Sequence, residues 1–210
     1  MAVLGHTAYV EVASPNLDNL LQDLSMLEFT LQSDLLTDGQ LLLMCQSGSE
    51  QVLGITYVTD RPTREVPMLP ALHLQVSSGA ADEAIQRSGE RNALLGYLDA
   101  IVIPSANPVA DRRTLEEVGF FVLEEFTGEH AQSDVTDGLV TLSLAAHARR
   151  PYLQYRQELS LDILEEFQAL DGIACDVRLG GEQLRDGVSH VRLTLRGGLT
   201  IVVIHDANYE

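Results

Sequence analysis

Residues 101–122, IVIPSANPVADRRTLEEVGFFV, decide the fold because residues 10–31, VEVASPNLDNLLQDLSMLEFTL, follow the same plan. Alignment pairs Val10 with Ile101, Val12 with Ile103, Ser14 with Ser105 and Asn16 with Asn107. Further on it pairs Leu24 with Leu115, Leu27 with Val118 and Phe29 with Phe120. Self-similarity in a fixed order marks a duplicated structural unit. Each copy opens on an alternating strand, Ala8-Val10-Val12 or Ile101-Ile103. A loop with Asn and Pro follows and suits a helix start. Then comes an amphipathic helix, whose first copy carries Leu17, Leu20, Leu21, Leu24 and Leu27 at helical spacing. In the second copy Gly119 stops the helix.

The match continues outward. QSDLLTDGQLLLM at 32–44 parallels QSDVTDGLVTLSL at 132–144, with QSD and TDG identical. The Asp-Gly pairs at 38–39 and 137–138 signal hairpins. A further strand follows, GITYV in one copy and YLQYR in the other, so the unit reads β-α-β-β-β. LHLQVSSGAADEAIQRSG (72–89) reads as a strand and a short helix. SLDILEEFQALDG (160–172) reads as an amphipathic helix with Gly172 at its end. VRLTL (191–195) and LTIVVI (199–204), joined by Gly-Gly, read as a terminal hairpin, and Arg61–Pro70, with three prolines, as a loop. The chain thus divides into an abbreviated repeat over 5–92 and a fuller one over 95–206.

Composition limits function. The 210 residues are 45% hydrophobic and 21% charged, enough for a packed core and unlike a disordered chain. No apolar run is long enough for a membrane helix, and no basic segment precedes an apolar one as in a signal peptide, so a cytoplasmic protein is expected. Thirty-one acidic residues face 13 basic ones, all of them Arg, for a net charge of −18. Such a chain is disfavoured on nucleic-acid phosphates and on anionic membranes. The scattered acids read as a solvated surface, and the absence of Lys resembles salt-adapted proteins. A DNA-mimic role is the sharper alternative. Cys45 and Cys175 are too few for a zinc site and read as small buried hydrophobes.

The order "strand, S-x-N, helix, G-F, hairpin, D-G, strand" at 101–144 resembles the vicinal oxygen chelate superfamily of glyoxalases, bleomycin-resistance proteins and extradiol dioxygenases. PYLQYRQELSLDILEEFQALDG looks like a second module's strand and helix, and RGGLTIVVIHD like its closing strand. The resemblance implies an α+β fold, with repeated βαβββ modules forming curved mixed sheets around a ligand-holding cup. In the family's enzymes a divalent metal chelates two neighbouring oxygens and stabilises developing negative charge. The matching ligand positions fall near Thr7, Leu98 and Val202, none a useful metal ligand. No cofactor is therefore expected. A divalent metal is the alternative, with His6, Glu11, His147 and His205 as relocated ligands.

Other chemistry finds little footing. No G-x-S-x-G, Walker or G-x-G-x-x-G pattern is present, and Ser14 and Ser105 read as helix-starting residues. Strand alternation turns Tyr9 and Glu11 away from Val10 and Val12, hence into a cup, where a buried Glu11 could carry a proton. RRPYLQYR (149–156) sets Tyr152, Gln154 and Arg156 on one strand, with Arg149 and Arg150 at its entrance. These seven residues are the candidate ligand contacts, and the arginines suit an anion. The leading expectation is a metal-free binding protein holding an unknown small molecule in an apolar cup. The alternatives are a lyase, isomerase or dioxygenase of the same superfamily, and an acidic protein-interaction module. A homodimer is compatible with the sequence.

Overall fold

The computed structural model describes residues 4–5, 7–32, 41–59, 69, 71–77, 85–87, 92–128, 131–179 and 188–206. The first sheet draws on β1 (Thr7–Ser14), α1 (Leu17–Met26), β2 (Thr30–Gln32), β3 (Leu41–Ser47), β4 (Val52–Val58), β5 (His73–Ser77) and β6 (Ile85–Arg87). The second draws on β7 (Tyr97–Pro104), α2 (Pro108–Val118), β8 (Phe121–Phe126), β9 (Gln132–Thr136), β10 (Thr141–Ala145) and β11 (Tyr152–Gln157), then α3 (Leu161–Ala169), β12 (Ala174–Leu179), β13 (Val188–Thr194) and β14 (Thr200–His205). The architecture is α+β, with two curved mixed sheets.

The eight-stranded sheet runs β12-β13-β14-β11-β7-β10-β9-β8. β7 lies parallel to β10 and β11 parallel to β14, while β7 and β11 meet antiparallel. Parallel neighbours need a long crossover, and each crossover here contains a helix and two strands. Two complete βαβββ units therefore meet at the β7–β11 seam. This corrects the repeat-based assignment and bears out the one that the family resemblance implied: YLQYR does not close the 101–144 unit but opens the next one. The first strand after α2 is β8 (Phe121–Phe126), which the β-α-β-β-β count had passed over.

The six-stranded sheet runs β2-β6-β3-β1-β4-β5. β1 is parallel to β3, β4 is parallel to β5, and β1 meets β4 antiparallel, as at the β7–β11 seam. β6 is a second correction. The expected short helix gives way at Ile85–Arg87 to a strand paired with both β2 and β3. Pairing on both sides overrides the local helical pattern. The Asp38-Gly39 hairpin and most of the Arg61–Pro70 loop lie outside the described residues. The Asp137-Gly138 turn joins β9 to β10 as expected, with Gly138 at φ 90.

Helix ends also differ in detail. The caps of α1 and α2 are Asn16 and Asn107, and only Asn107 accepts a side-chain cap bond, from Ala110 N at 3.2 Å. Ser14 Oγ accepts from Asn16 N at 3.0 Å and donates to Gly197 O at 2.8 Å, while Ser105 Oγ donates to Asp111 at 2.6 Å. Gly119 ends α2 at φ 111, a left-handed cap. α3 starts at Ser160 and its cap is Leu170, ahead of Gly172.

One apolar cluster spans both sheets and includes Val10, Val12, Leu20, Leu24 and Ile55 from the first half and Ile101, Leu115, Leu153, Ile201 and Val203 from the second. Polar ties cross the same boundary. Asp23, fully buried on α1, accepts from the Arg196 backbone N at 2.6 Å and from Arg196 Nε at 2.7 Å. Asn92 Nδ2 donates to Leu27 O at 2.7 Å. A Cβ on Gly197 would stand 2.5 Å from Leu20 Cβ, so only glycine lets the β13–β14 turn approach α1. The first half thus holds the turn that joins two strands of the second sheet. Among the described residues no helix is long and apolar enough to cross a membrane.

Candidate functional site

Leu153 and Tyr155 on β11 join the core, so Tyr152 and Gln154 face the opposite side of the sheet. There they border a hollow of about 630 Å³. The β10–β11 connection supplies His147, Arg149, Arg150 and Pro151; β13 supplies His190 and Arg192; β14 supplies Thr200, Val202 and Ile204. Register explains the gathering. Gln154 pairs with Ala100 on one side and Val202 on the other, Arg192 pairs with Val202, and His190 with Ile204. The sheet face is therefore mixed, with Val202 and Ile204 beside Gln154, His190 and Arg192, and the β10–β11 connection adds further cations. The expectation of an apolar cup is corrected to that extent.

The hollow's electrostatics follow from its neighbours. Burial pushes the Tyr152 hydroxyl up in pKa, with Asp134 adding to the rise and Arg192 opposing it, so Tyr152 keeps its proton and can donate. Burial, Arg192 and Arg178 hold His190 below its usual value, against Asp176. Gln154 Nε2 donates to Asp99 at 2.8 Å, which fixes the amide and turns its carbonyl oxygen elsewhere.

Four of the seven candidate contacts, Arg149, Arg150, Tyr152 and Gln154, come together on this hollow. Arg156 does not. Its guanidinium pairs with Asp99 at 3.1 Å and 3.3 Å and stays off the lining. Gln154 and Arg156 share a face and both bond Asp99, the β7 residue that the register shift leaves out of the pairing. Tyr9 and Glu11 belong to the other sheet. Tyr9 is fully buried and out of a ligand's reach, whereas Glu11 is half-buried on a separate hollow. His190, Arg192 and Thr200 were not among the candidate contacts, although alternation puts His190 and Arg192 on one face of their strand.

The relocated metal set does not assemble. Glu11 lies on the first sheet and His147 on the hollow of the second sheet, while His205 Nδ1 accepts from Leu159 N at 3.2 Å at the end of β14. His6 lies outside the described residues. Of the positions the family would use, Thr7 is buried, Leu98 packs against the core and Val202 lines the hollow with a hydrocarbon side chain. Among the described residues no three His, Cys, Asp or Glu side chains gather as a metal site. Among the described residues the donor set does not fit a divalent metal. Cys45 and Cys175 are free, and burial pushes the Cys45 thiol up to about 12.

No family model matches the chain, and no curated protein matches it. Solved structures do. A 2,2',3-trihydroxybiphenyl 1,2-dioxygenase from Sphingomonas wittichii strain RW1 aligns over 98% of this chain and 90% of its own, with a TM-score of 0.57 at 14% identity. A homoprotocatechuate 2,3-dioxygenase from Arthrobacter globiformis aligns over 97% and 80%, at 0.58 and 15%. A halotolerant catechol dioxygenase aligns over 100% and 91%, at 0.54 and 12%. The chain shares the fold of these dioxygenases, in which the paired βαβββ units recur.

Proposed function

We propose that this chain is a metal-independent binding protein of the vicinal oxygen chelate fold that takes a small organic anion in the second cup. One observation carries the reading. Arg149, Arg150 and Arg192 meet His147 and His190 on a single hollow, in a chain whose net charge is −18. Guanidinium groups offer paired donors to a carboxylate or phosphate. Val202, Ile204 and Pro151 give the rest of the ligand an apolar surface. A ring or short chain bearing one carboxylate satisfies both. Homoprotocatechuate, the compound named for one fold neighbour, is of that kind. Fold alone does not assign chemistry, and the residues at the cup floor support binding more directly than catalysis.

The test is thermal shift and calorimetry with benzoate and 3,4-dihydroxyphenylacetate, using benzamide as the uncharged analogue. Both anions are expected to raise the melting temperature and benzamide to leave it unchanged. Arg192→Ala is expected to weaken anion binding by about tenfold, the scale of a charge-assisted hydrogen bond. Metal analysis of the purified chain decides the rival enzyme reading. Close to one transition metal per chain, resistant to chelator, would overturn metal independence.

A further inference from the structure

The first sheet has a cup of its own, with the opposite charge. Glu11 projects from β1 between Val10 and Val12, which both join the core, so its carboxylate faces away from the core. Thr56 Oγ1 donates to Glu11 Oε1 at 2.5 Å, and Gln75 Nε2 donates to Thr56 Oγ1 at 2.8 Å. The two donors from β4 and β5 lock the carboxylate through one oxygen. Among the described residues no hydrogen bond reaches the other oxygen, Oε2, and no arginine pairs with Glu11.

What lies beside Oε2 is a glycine. Glu11 pairs across the sheet with Gly54, and Gly54 with His73. A Cβ on Gly54 would stand 3.6 Å from Glu11 Oε2 and 3.3 Å from His73 O. The missing side chain leaves a notch next to the carboxylate. It opens into a hollow of about 290 Å³ that Ala13, Val52, Gln46, His73 and Gln75 also line. The second sheet does the reverse. Val102 pairs with Tyr152 there, in the row that Glu11 and Gly54 occupy here, so hydrocarbon replaces the charge and a phenol fills the notch.

We propose that this first cup is a second ligand site, for a small organic cation whose ammonium or guanidinium group sits on Glu11 Oε2. The donor-rich head suits an oriented carboxylate with a free oxygen, and the amide oxygen of Gln46 offers a second acceptor. Alanine and valine walls take a short alkyl tail. The acidic surface raises the local concentration of any cation. A bare divalent ion is less suited, since one carboxylate and neutral amides fall short of the six to eight oxygens that calcium takes. The site uses none of the anion cup's residues and stands independently of it.

Calorimetry with methylguanidinium and n-propylammonium chlorides at about 0.3 M NaCl, which screens exposed charge, tests the assignment. Both are expected to bind one per chain. Tetramethylammonium, which has no N–H donor, and magnesium are expected not to compete. Glu11→Gln should weaken binding by about tenfold or more, the scale of a hydrogen bond between charged groups. Glu165→Gln, an equal loss of charge on the exposed face of α3, should change nothing. Equal weakening by both variants, or competition by tetramethylammonium or magnesium, would overturn the site in favour of diffuse attraction. Amide shifts mapped by NMR on the unaltered chain settle the matter should Glu11→Gln not fold. They must centre on Glu11, Gly54 and Gln75, and shifts centred elsewhere refute the site.

Discussion

His190 sits on β13 between the core residue Val191 and the β12 charges Asp176 and Arg178, with Arg192 two positions along its own strand. Its ring is held below the ordinary value of 6.5, mainly by burial and then by the two arginines. The folded chain therefore binds this proton more weakly than the unfolded chain does. Above pH 6.5 the group leaves stability unchanged; as pH falls below that value the unfolded state is protonated first and stability is lost. An anion in the cup reverses the preference, because it favours the charged ring. Binding of benzoate at about pH 6 is expected to take up protons. Calorimetry in buffers of different ionisation heat reads that uptake directly. It should fall in His190→Gln, and no uptake by the unaltered chain would place the anion away from His190.

At the scale of elements, two helices of the same plan are begun differently. Asn107 caps α2 through its side chain, whereas Asn16 makes no such bond at α1. Asn107→Ala should cost about 1 kcal/mol in chemical denaturation, as the loss of a working cap does, and Asn16→Ala clearly less. Equal losses would mean that α1 is capped in solution after all. These elements were legible because their signals are local. The leucine spacing of α1, the Asp137-Gly138 turn and the Val191–Ile204 hairpin each depend on neighbours within a few residues. β6 was not, because Ile85–Arg87 is a strand only by virtue of β2 and β3, which lie far back in the chain. The cup was half legible for a related reason. Arg149 to Gln154 are contiguous and drew notice, while His190 and Arg192 reach the same hollow through strand register that no local pattern states. Arg156 misled for another reason: alternation does carry it to the face of Gln154, but Asp99 takes its guanidinium.

For the whole molecule, the continuous core and the buried Asp23 tie make the two halves one cooperative unit. Breaking the boundary would expose Leu20 and Leu24 together with the Arg196 turn they pack against. Calorimetric unfolding is expected to give a single transition whose calorimetric and van't Hoff enthalpies agree. Two resolved transitions would mean that the halves melt apart. The cationic cup and the acidic one then belong to one folding unit, each on the face of its sheet turned away from the core.

The position of β6 bears on how the chain is made. In the second sheet, β8, β9 and β10 follow one another in sequence and lie side by side. In the first, the strand between β2 and β3 is supplied only after β5. A ribosome therefore releases β1 to β5 with a gap in the sheet, and the edges flanking it wait for Arg87 to emerge. Unpaired edges invite pairing with other chains. Translation through that interval is the moment at which this protein most needs to be left alone.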